Sequence, residues 1–122
     1  MREPTPRLSV TNLGNVTVVE LVDRKILDEI AISQIGEQLQ ALVAAAILPK
    51  FVLDFTQVAH LSSSALGMLI TLHKRIRERH GELRFCGIGP AIHEVFTITR
   101  LNEIFQIHTT REAALGSLQA NV

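Results

Sequence analysis

The sequence predicts an α/β fold with a mixed, mostly parallel β-sheet of four to five strands and about four helices. Short β-branched or apolar runs alternate along the chain with segments whose apolar residues recur every three or four positions. The run at residues 51–55 is apolar almost throughout, which is typical of a strand buried on both faces of a sheet. With 122 residues and 47% hydrophobic side chains, we expect a single domain over residues 1–122, of which residues 1–6 form a flexible N-terminus.

The first half of the chain predicts a hairpin, a helix and the central strand. Residues 8–21 alternate between apolar and polar side chains on either side of turn residues at 12–15, which predicts two antiparallel strands. Pro49 marks the end of the helix that follows. The apolar run at residues 51–55 is the expected central strand. The helix is indicated by apolar residues at steps of three and four, namely Ile35, Leu39, Leu42, Val43 and Ala46.

A second helix is predicted from residues 62–64 to about His80, with Gly81 as its left-handed C-terminal cap. Its last turns are basic, and positive side chains there interact favourably with the negative end of the helix dipole. We interpret them as a solvated, stabilising face; the alternative is a binding patch for a polyanion. These basic residues are Lys74, Arg75, Arg77 and Arg79.

The last third of the chain continues the alternation of strands and helices. Residues 83–88 predict a strand, and Pro90 follows Gly89 at the first position of a third helix. Residues 104–107 predict a short final strand. Thr109 and Glu112 have the spacing of a capping box, which predicts the start of a last helix.

Composition and charge exclude several classes of function. Twelve Lys and Arg balance twelve Asp and Glu, and the chain has five Phe but neither Trp nor Tyr, which argues against a nucleic-acid partner. The longest apolar stretch, residues 41–49, is too short to span a bilayer, so no membrane insertion is expected. No secretory signal is evident, and a single cysteine, Cys86, excludes an internal disulfide. We therefore expect a cytoplasmic protein.

The most informative segment is a cluster of three hydroxyls at the predicted start of the second helix: Ser62, Ser63 and Ser64. Free backbone N–H groups and the helix dipole would stabilise a phosphate on one of them. The alternative is that Ser62 or Ser63 is an ordinary N-cap, worth about 1 kcal/mol. These residues by themselves leave both interpretations open.

Catalytic and metal-binding interpretations are disfavoured. Ser63, His60 and Asp54 are close in sequence, but the serine lacks the flanking glycines of a hydrolase nucleophile elbow. Residues 87–90 lack the length and the lysine of a phosphate-binding loop. Cys86 lies in an apolar strand and is expected to be a buried core residue. We expect no metal site or cofactor, because no metal-ligand spacing relates the five histidines, His60, His73, His80, His93 and His108.

Residues 62–67 read Ser-Ser-Ser-Ala-Leu-Gly and follow the predicted central strand after a short loop. They resemble the Asp-Ser-Ser-Gly-Leu-Gly motif in the STAS domain of bacterial anti-sigma factor antagonists, with Ser62 in place of the aspartate and Ala65 in place of the glycine. Residues 83–87 and 92–96, followed by Leu101, Phe105 and the predicted helix at residues 112–114, are also similar to that family, so the resemblance covers almost the whole chain.

The resemblance implies a binding protein rather than an enzyme. In the family, an anti-sigma factor that is also a serine kinase phosphorylates the first serine of the motif, which corresponds to Ser63; Ser62 and Ser64 are the alternatives. The unmodified protein would bind this kinase and free its sigma factor, and a metal-dependent serine phosphatase would reverse the modification. The resemblance leaves open whether the protein also forms a homodimer. The expected partner-binding residues are Val58, His60, Leu61, Ser62, Ser64, Leu66 and Gly67.

Two other hypotheses remain. The missing motif aspartate fits a STAS interaction module that is not switched by phosphate, as in stressosome-like or lipid-transport complexes. Small-molecule or nucleotide sensing is the third hypothesis.

Overall fold

The computed structural model describes residues 8–119, so the predicted flexible segment, residues 1–6, lies outside the described residues. Within this range no helix combines the length and apolar character needed to cross a bilayer. The elements in chain order are β1 (Leu8–Leu13), β2 (Val16–Leu21), β3 (Lys25–Ile26), α1 (Glu29–Ala45), β4 (Lys50–Asp54), β5 (His60–Leu61), α2 (Ser63–Glu78), β6 (Glu82–Cys86), α3 (Pro90–Ile98), a 3₁₀ turn (Leu101–Glu103), β7 (Gln106–His108) and α4 (Arg111–Gln119).

The predicted α/β fold is confirmed. Five strands form one sheet in the order β1-β2-β4-β6-β7, in which β1 pairs with β2 antiparallel and the other neighbours pair in parallel. Strand β4 is central, as its apolar sequence predicts. Its side chains alternate between two buried faces: Phe51 and Leu53 pack with α1, α2 and α3, whereas Val52 packs with α4.

Strands β3 and β5 form a separate parallel pair of two residues each, which the sequence analysis did not predict. Lys25 pairs with His60, and Ile26 pairs with Leu61. A strand of two residues is too short for a period of two to be recognised in the sequence. This pair matters for function because it immediately precedes the first turns of α1 and α2.

The predicted capping residues of two helices are each wrong by one position. At the end of α2 the left-handed residue is His80, with φ of 61°, and not Gly81. Gly81 is needed for another reason, since a Cβ there would collide with the carbonyl oxygen of Pro49. At the start of α4, Thr110 and not Thr109 is the cap: its Oγ1 accepts the Ala113 N–H at 3.0 Å.

The final strand begins two residues later than predicted, at Gln106. The backbone N–H of Phe105 donates to the carbonyl of Leu101 at 2.8 Å, so Phe105 belongs to the preceding turn. Its side chain is buried, and its ring lies 4.5 Å from that of Phe85. The apolar pattern at residues 104–107 therefore comes partly from a buried turn residue, Phe105, and only partly from the strand.

Candidate functional site

The three serines at the start of α2 occupy different environments. Ser62 is the N-cap: its backbone is extended, and its Oγ accepts the Ala65 N–H at 3.2 Å. Ser63 is the first helical residue, is exposed, and its hydroxyl has no hydrogen-bond partner in the described part of the chain. Of the serines at positions 62–64, Ser63 is therefore the one whose hydroxyl is both accessible and without a hydrogen bond among the described residues.

Ser64 connects the first turns of two helices. Its Oγ donates to the Oε2 atom of Glu29, the first residue of α1, at 2.8 Å. Glu29 lies 35 residues earlier in the chain, so no local pattern indicated it as part of this site. Because the N-termini of α1 and α2 lie together, this carboxylate also faces the positive ends of the helices.

The β3–β5 pair holds the loop that leads into α2. The backbone N–H of Ala59 donates to the carbonyl of Arg24 at 2.7 Å, and that of Ser62 donates to the carbonyl of Ile26 at 3.1 Å. The serine cluster therefore begins from a backbone that is hydrogen-bonded to another segment.

The predicted partner-binding residues differ in exposure. His60, Ser64 and Gly67 are exposed, and Leu61, Ser62 and Leu66 are half-buried. Val58 is only 5% exposed and belongs to the core, so its side chain supports the loop from beneath. Sequence reasoning did not single out Ile30, which follows Glu29 and is 66% exposed beside this site.

A largely apolar groove of about 730 Å³ runs between α1 and α2 from this point. Ser64 and Glu29 lie at one end, where the helices begin, and the groove continues past Gly36, Gly67 and Met68. Gly36 packs closely against Met68, whose Cγ lies 3.2 Å from where a Cβ would be. A Cβ on Gly67 would meet no atom within 4 Å, so Gly67 opens the groove instead of allowing close packing.

We expect the substitution Gly67→Ala to stabilise the free protein. Glycine in a helix costs up to about 1 kcal/mol relative to alanine, and the added methyl group meets no obstacle here. Urea unfolding followed by circular dichroism should show a gain of about 0.5–1 kcal/mol. Gly81→Ala is the contrasting control, because its Cβ would strike Pro49. A loss of stability in Gly67→Ala would mean that the groove is closed at this position.

Asp54, at the end of β4, belongs to a different cluster. Its Oδ1 accepts hydrogen bonds from the N–H and hydroxyl of Thr56, and its Oδ2 accepts from Arg111 Nε at 3.1 Å and Nη2 at 2.7 Å. Burial of Asp54 raises the pKa of its carboxyl, but the hydrogen bonds from Thr56 and Arg111 outweigh burial and lower it. Gly87, with φ of 69°, leaves space for this cluster, since a Cβ there would strike Thr56 and Asp54.

This arrangement does not form the catalytic set considered from the sequence. The hydrogen-bond partners of Asp54 are Thr56 and Arg111, while His60 is exposed on β5 and Ser63 has no hydrogen bond to it among the described residues. Cys86 is buried as predicted, and burial raises the pKa of its thiol to about 11, so the thiol is protonated at neutral pH. No group of three metal-ligating side chains occurs within residues 8–119.

Comparison with known proteins adds independent information. The sequence model of the STAS domain family matches residues 7–114. BtrV of Bordetella bronchiseptica, which carries the name of an anti-sigma factor antagonist, is 33% identical over 87 residues, 69% of this chain and 75% of that protein. The anti-sigma-B factor antagonist of Listeria monocytogenes is 33% identical over 55 residues, 45% of this chain and 48% of that protein.

The fold is similar to that of a solved anti-sigma-factor antagonist (STAS) domain protein from Planctomyces limnophilus. The two structures superpose with a TM-score of 0.80 at 27% sequence identity, over 93% of this chain and 98% of the other.

Proposed function

Because this chain belongs to the STAS domain family, we propose that it is an anti-sigma factor antagonist that is switched off by phosphorylation of Ser63. Its partner is an anti-sigma factor that is itself a serine kinase. The unmodified protein binds this partner and frees the sigma factor; the phosphate blocks binding until a metal-dependent serine phosphatase removes it. The observation that carries the proposal is the exposed, uncommitted hydroxyl of Ser63 at the start of α2.

The hydrogen bonds of the cluster favour Ser63 over its neighbours. The Ser62 oxygen accepts the Ala65 N–H as a cap, and the Ser64 hydroxyl donates to Glu29. A phosphate on Ser64 would be placed against that carboxylate, whereas Ser63 can be modified with the cap and the Glu29 contact both retained.

A phosphate on Ser63 would act on the partner mainly through charge. It adds about two negative charges next to Glu29, at the end of a groove whose lining is largely apolar. The N–H groups at the start of α2 would hold it in place, so no rearrangement of the domain is needed. An acidic or apolar partner surface would then meet repulsion and a desolvation cost where it previously met Ser63.

The docking surface consists of the helix starts and the groove between α1 and α2. Gly67 and Met68 give the groove an apolar floor that can accept an apolar side chain of the partner, and the exposed Ile30 follows Glu29, which lines the end of the groove. His60 and Leu61 extend this surface along β5. The protein thus works by binding in the cytoplasm and catalyses no reaction.

The test is capture of partners from a lysate of the native organism on immobilised wild-type, Ser63→Ala and Ser63→Glu proteins, with and without ATP. We expect wild type and Ser63→Ala to retain a serine kinase that Ser63→Glu binds at least about tenfold more weakly, because a carboxylate at position 63 places a charge at the docking surface. Ser9→Glu, an exposed serine on β1, is the matched control and should bind like wild type.

Mass spectrometry of the wild-type bait incubated with ATP should locate the phosphate on Ser63. Equal capture of the same partners by all four baits would contradict the switch and leave an unswitched STAS interaction module. A phosphate on Ser62 or Ser64 would move the site within the cluster.

A further inference from the structure

A polar pocket of about 300 Å³ lies at the other end of α2. It is bounded by the last turns of α2, the first residues of β6 and the start of β7. Arg77 is 14 positions beyond Ser63, which places it about 20 Å away along the helix axis. The pocket is therefore separate from the proposed phosphorylation site. The side chains that determine its chemistry are His73, Arg77, His80, Glu82, Arg84 and Gln106.

Positive charge in this pocket is only partly neutralised. Glu82 is the only carboxylate in its lining, and its Oε1 accepts a hydrogen bond from Arg84 Nη1 at 2.8 Å. Arg84 also donates from Nε to Ser117 at 2.9 Å. Arg77, in contrast, has neither an ion pair nor a hydrogen bond from its side chain to any residue in the range 8–119. The nearby Glu78 lines a different depression, with Arg75 and Arg79.

His73 provides a second observation at the same place. Its ring centroid lies 5.5 Å from that of Phe105, and its pKa is lowered, first by burial and then by the positive charge of Arg77. A basic group and an imidazole one helical turn apart thus face each other without a carboxylate between them. An anion bound here would be attracted by the charge of Arg77 and would accept a hydrogen bond from an N–H of the neutral His73 imidazole.

We propose that this pocket binds a small anion of the phosphate or phosphomonoester class, held by Arg77 and by the imidazole of His73. The amide of Gln106, at the start of β7, supplies a further donor at the rim. Guanidinium groups bind phosphate oxygens through two parallel N–H donors, and a volume of about 300 Å³ is at the lower end of small-molecule sites. The basic end of α2 then has a specific ligand in addition to its favourable interaction with the helix dipole.

The proposal is tested by nuclear magnetic resonance titration of the full chain with inorganic phosphate and with phosphoserine, at constant ionic strength maintained with sodium chloride. We expect saturable shifts of the His73 side-chain signals and of the backbone amides around residues 81–84. Arg77→Gln should weaken binding at least tenfold. Arg75→Gln is the matched control: it removes an arginine from the same helix that lines the other depression, and it should stay within twofold of wild type.

The two ligands distinguish the source of the anion. Binding of both identifies a site for phosphomonoesters, and binding of inorganic phosphate alone restricts the site to the free ion. Shifts that chloride reproduces, equal effects of Arg77→Gln and Arg75→Gln, or shifts confined to the amides of residues 62–65 would overturn the proposal. The last outcome would place the anion at the opposite end of α2. A Ser63→Ala protein should bind like wild type, which keeps this test independent of the proposed switch.

Discussion

The substitution Phe85→Ala should lower the free energy of unfolding by about 4 kcal/mol. Phe85 lies on β6 and is fully buried, and its ring is the centre of an aromatic cluster. The neighbouring ring centroids lie at 4.5 Å for Phe105, 5.7 Å for Phe55 and 6.0 Å for Phe96. Truncation removes the buried apolar surface and leaves a cavity that three rigid rings cannot fill. The total free energy of unfolding of a domain of this size is only about 5–15 kcal/mol, so this loss is a large fraction of its stability.

Urea unfolding measured by far-ultraviolet circular dichroism is the appropriate assay, because the chain has neither Trp nor Tyr for intrinsic fluorescence. Ile98→Ala is the control: it truncates an apolar residue of α3 that is 73% exposed, and it should change stability by less than about 0.5 kcal/mol. Phe85→Leu, which retains most of the volume, should cost clearly less than Phe85→Ala. A loss below about 1 kcal/mol for Phe85→Ala would show that the cluster does not hold β6, α3 and the turn before β7 together.

The second large effect is expected at the ion pair between Asp54 and Arg111. The Asp54 side chain is 7% exposed, and Arg111 Nη2 lies 2.7 Å from its Oδ2. Removing the cation with Arg111→Ala leaves a buried carboxylate without its charged partner, so we expect a loss of about 2 kcal/mol at neutral pH. This expected loss of stability is smaller than for a fully buried ion pair, because the Arg111 side chain is 35% exposed and water screens its charge. Arg75→Ala, an exposed arginine on α2, should change stability by about 0.5 kcal/mol or less.

The same pair makes stability depend on pH in a defined direction. The folded state lowers the pKa of Asp54 below its ordinary value of 3.8, so its stabilising contribution is fully present above that value. It is lost as the pH falls through the lower, folded-state pKa, because the protonated carboxyl no longer attracts Arg111. Unfolding free energies measured from pH 6 to pH 2 should therefore fall less steeply in Asp54→Asn than in wild type. Identical slopes would mean that the folded state does not change this pKa.

These stability effects can be separated from the proposed switch. Phe85→Ala weakens the core that supports every surface, so partner capture and stability should decline together. Ser63 is exposed and its hydroxyl makes no hydrogen bond within residues 8–119, so Ser63→Glu should lose its partner while unfolding at nearly the wild-type urea concentration. The combination of lost binding and unchanged stability is the signature of a docking residue.

The sequence by itself determined the four helices, the strands of the main sheet and the position of the serine cluster. The apolar run at residues 51–55 identified the central strand, and helical spacing with Ser62 at the start identified α2, because both signals depend on neighbouring residues along the chain. The family could also be inferred from the serine motif and the elements that follow it. At the helix ends, Thr109 and Gly81 were each wrong by a single residue, whereas the start of the final strand was wrong by two residues and the two-residue strands β3 and β5 were missed.

Only the tertiary structure decided how the three serines differ. Ser64 is engaged by Glu29, which lies in another helix, and the loop before Ser62 is held by a two-residue strand at Lys25 and Ile26. The pairing of Asp54 with Arg111, 57 residues apart, and the groove opened by Gly67 likewise join distant segments. Residue type and periodicity report which face of an element is buried, but they do not report which other element covers it. The choice of partners follows from the packing of the two layers of helices against the sheet, and it is this packing that leaves the Ser63 hydroxyl free.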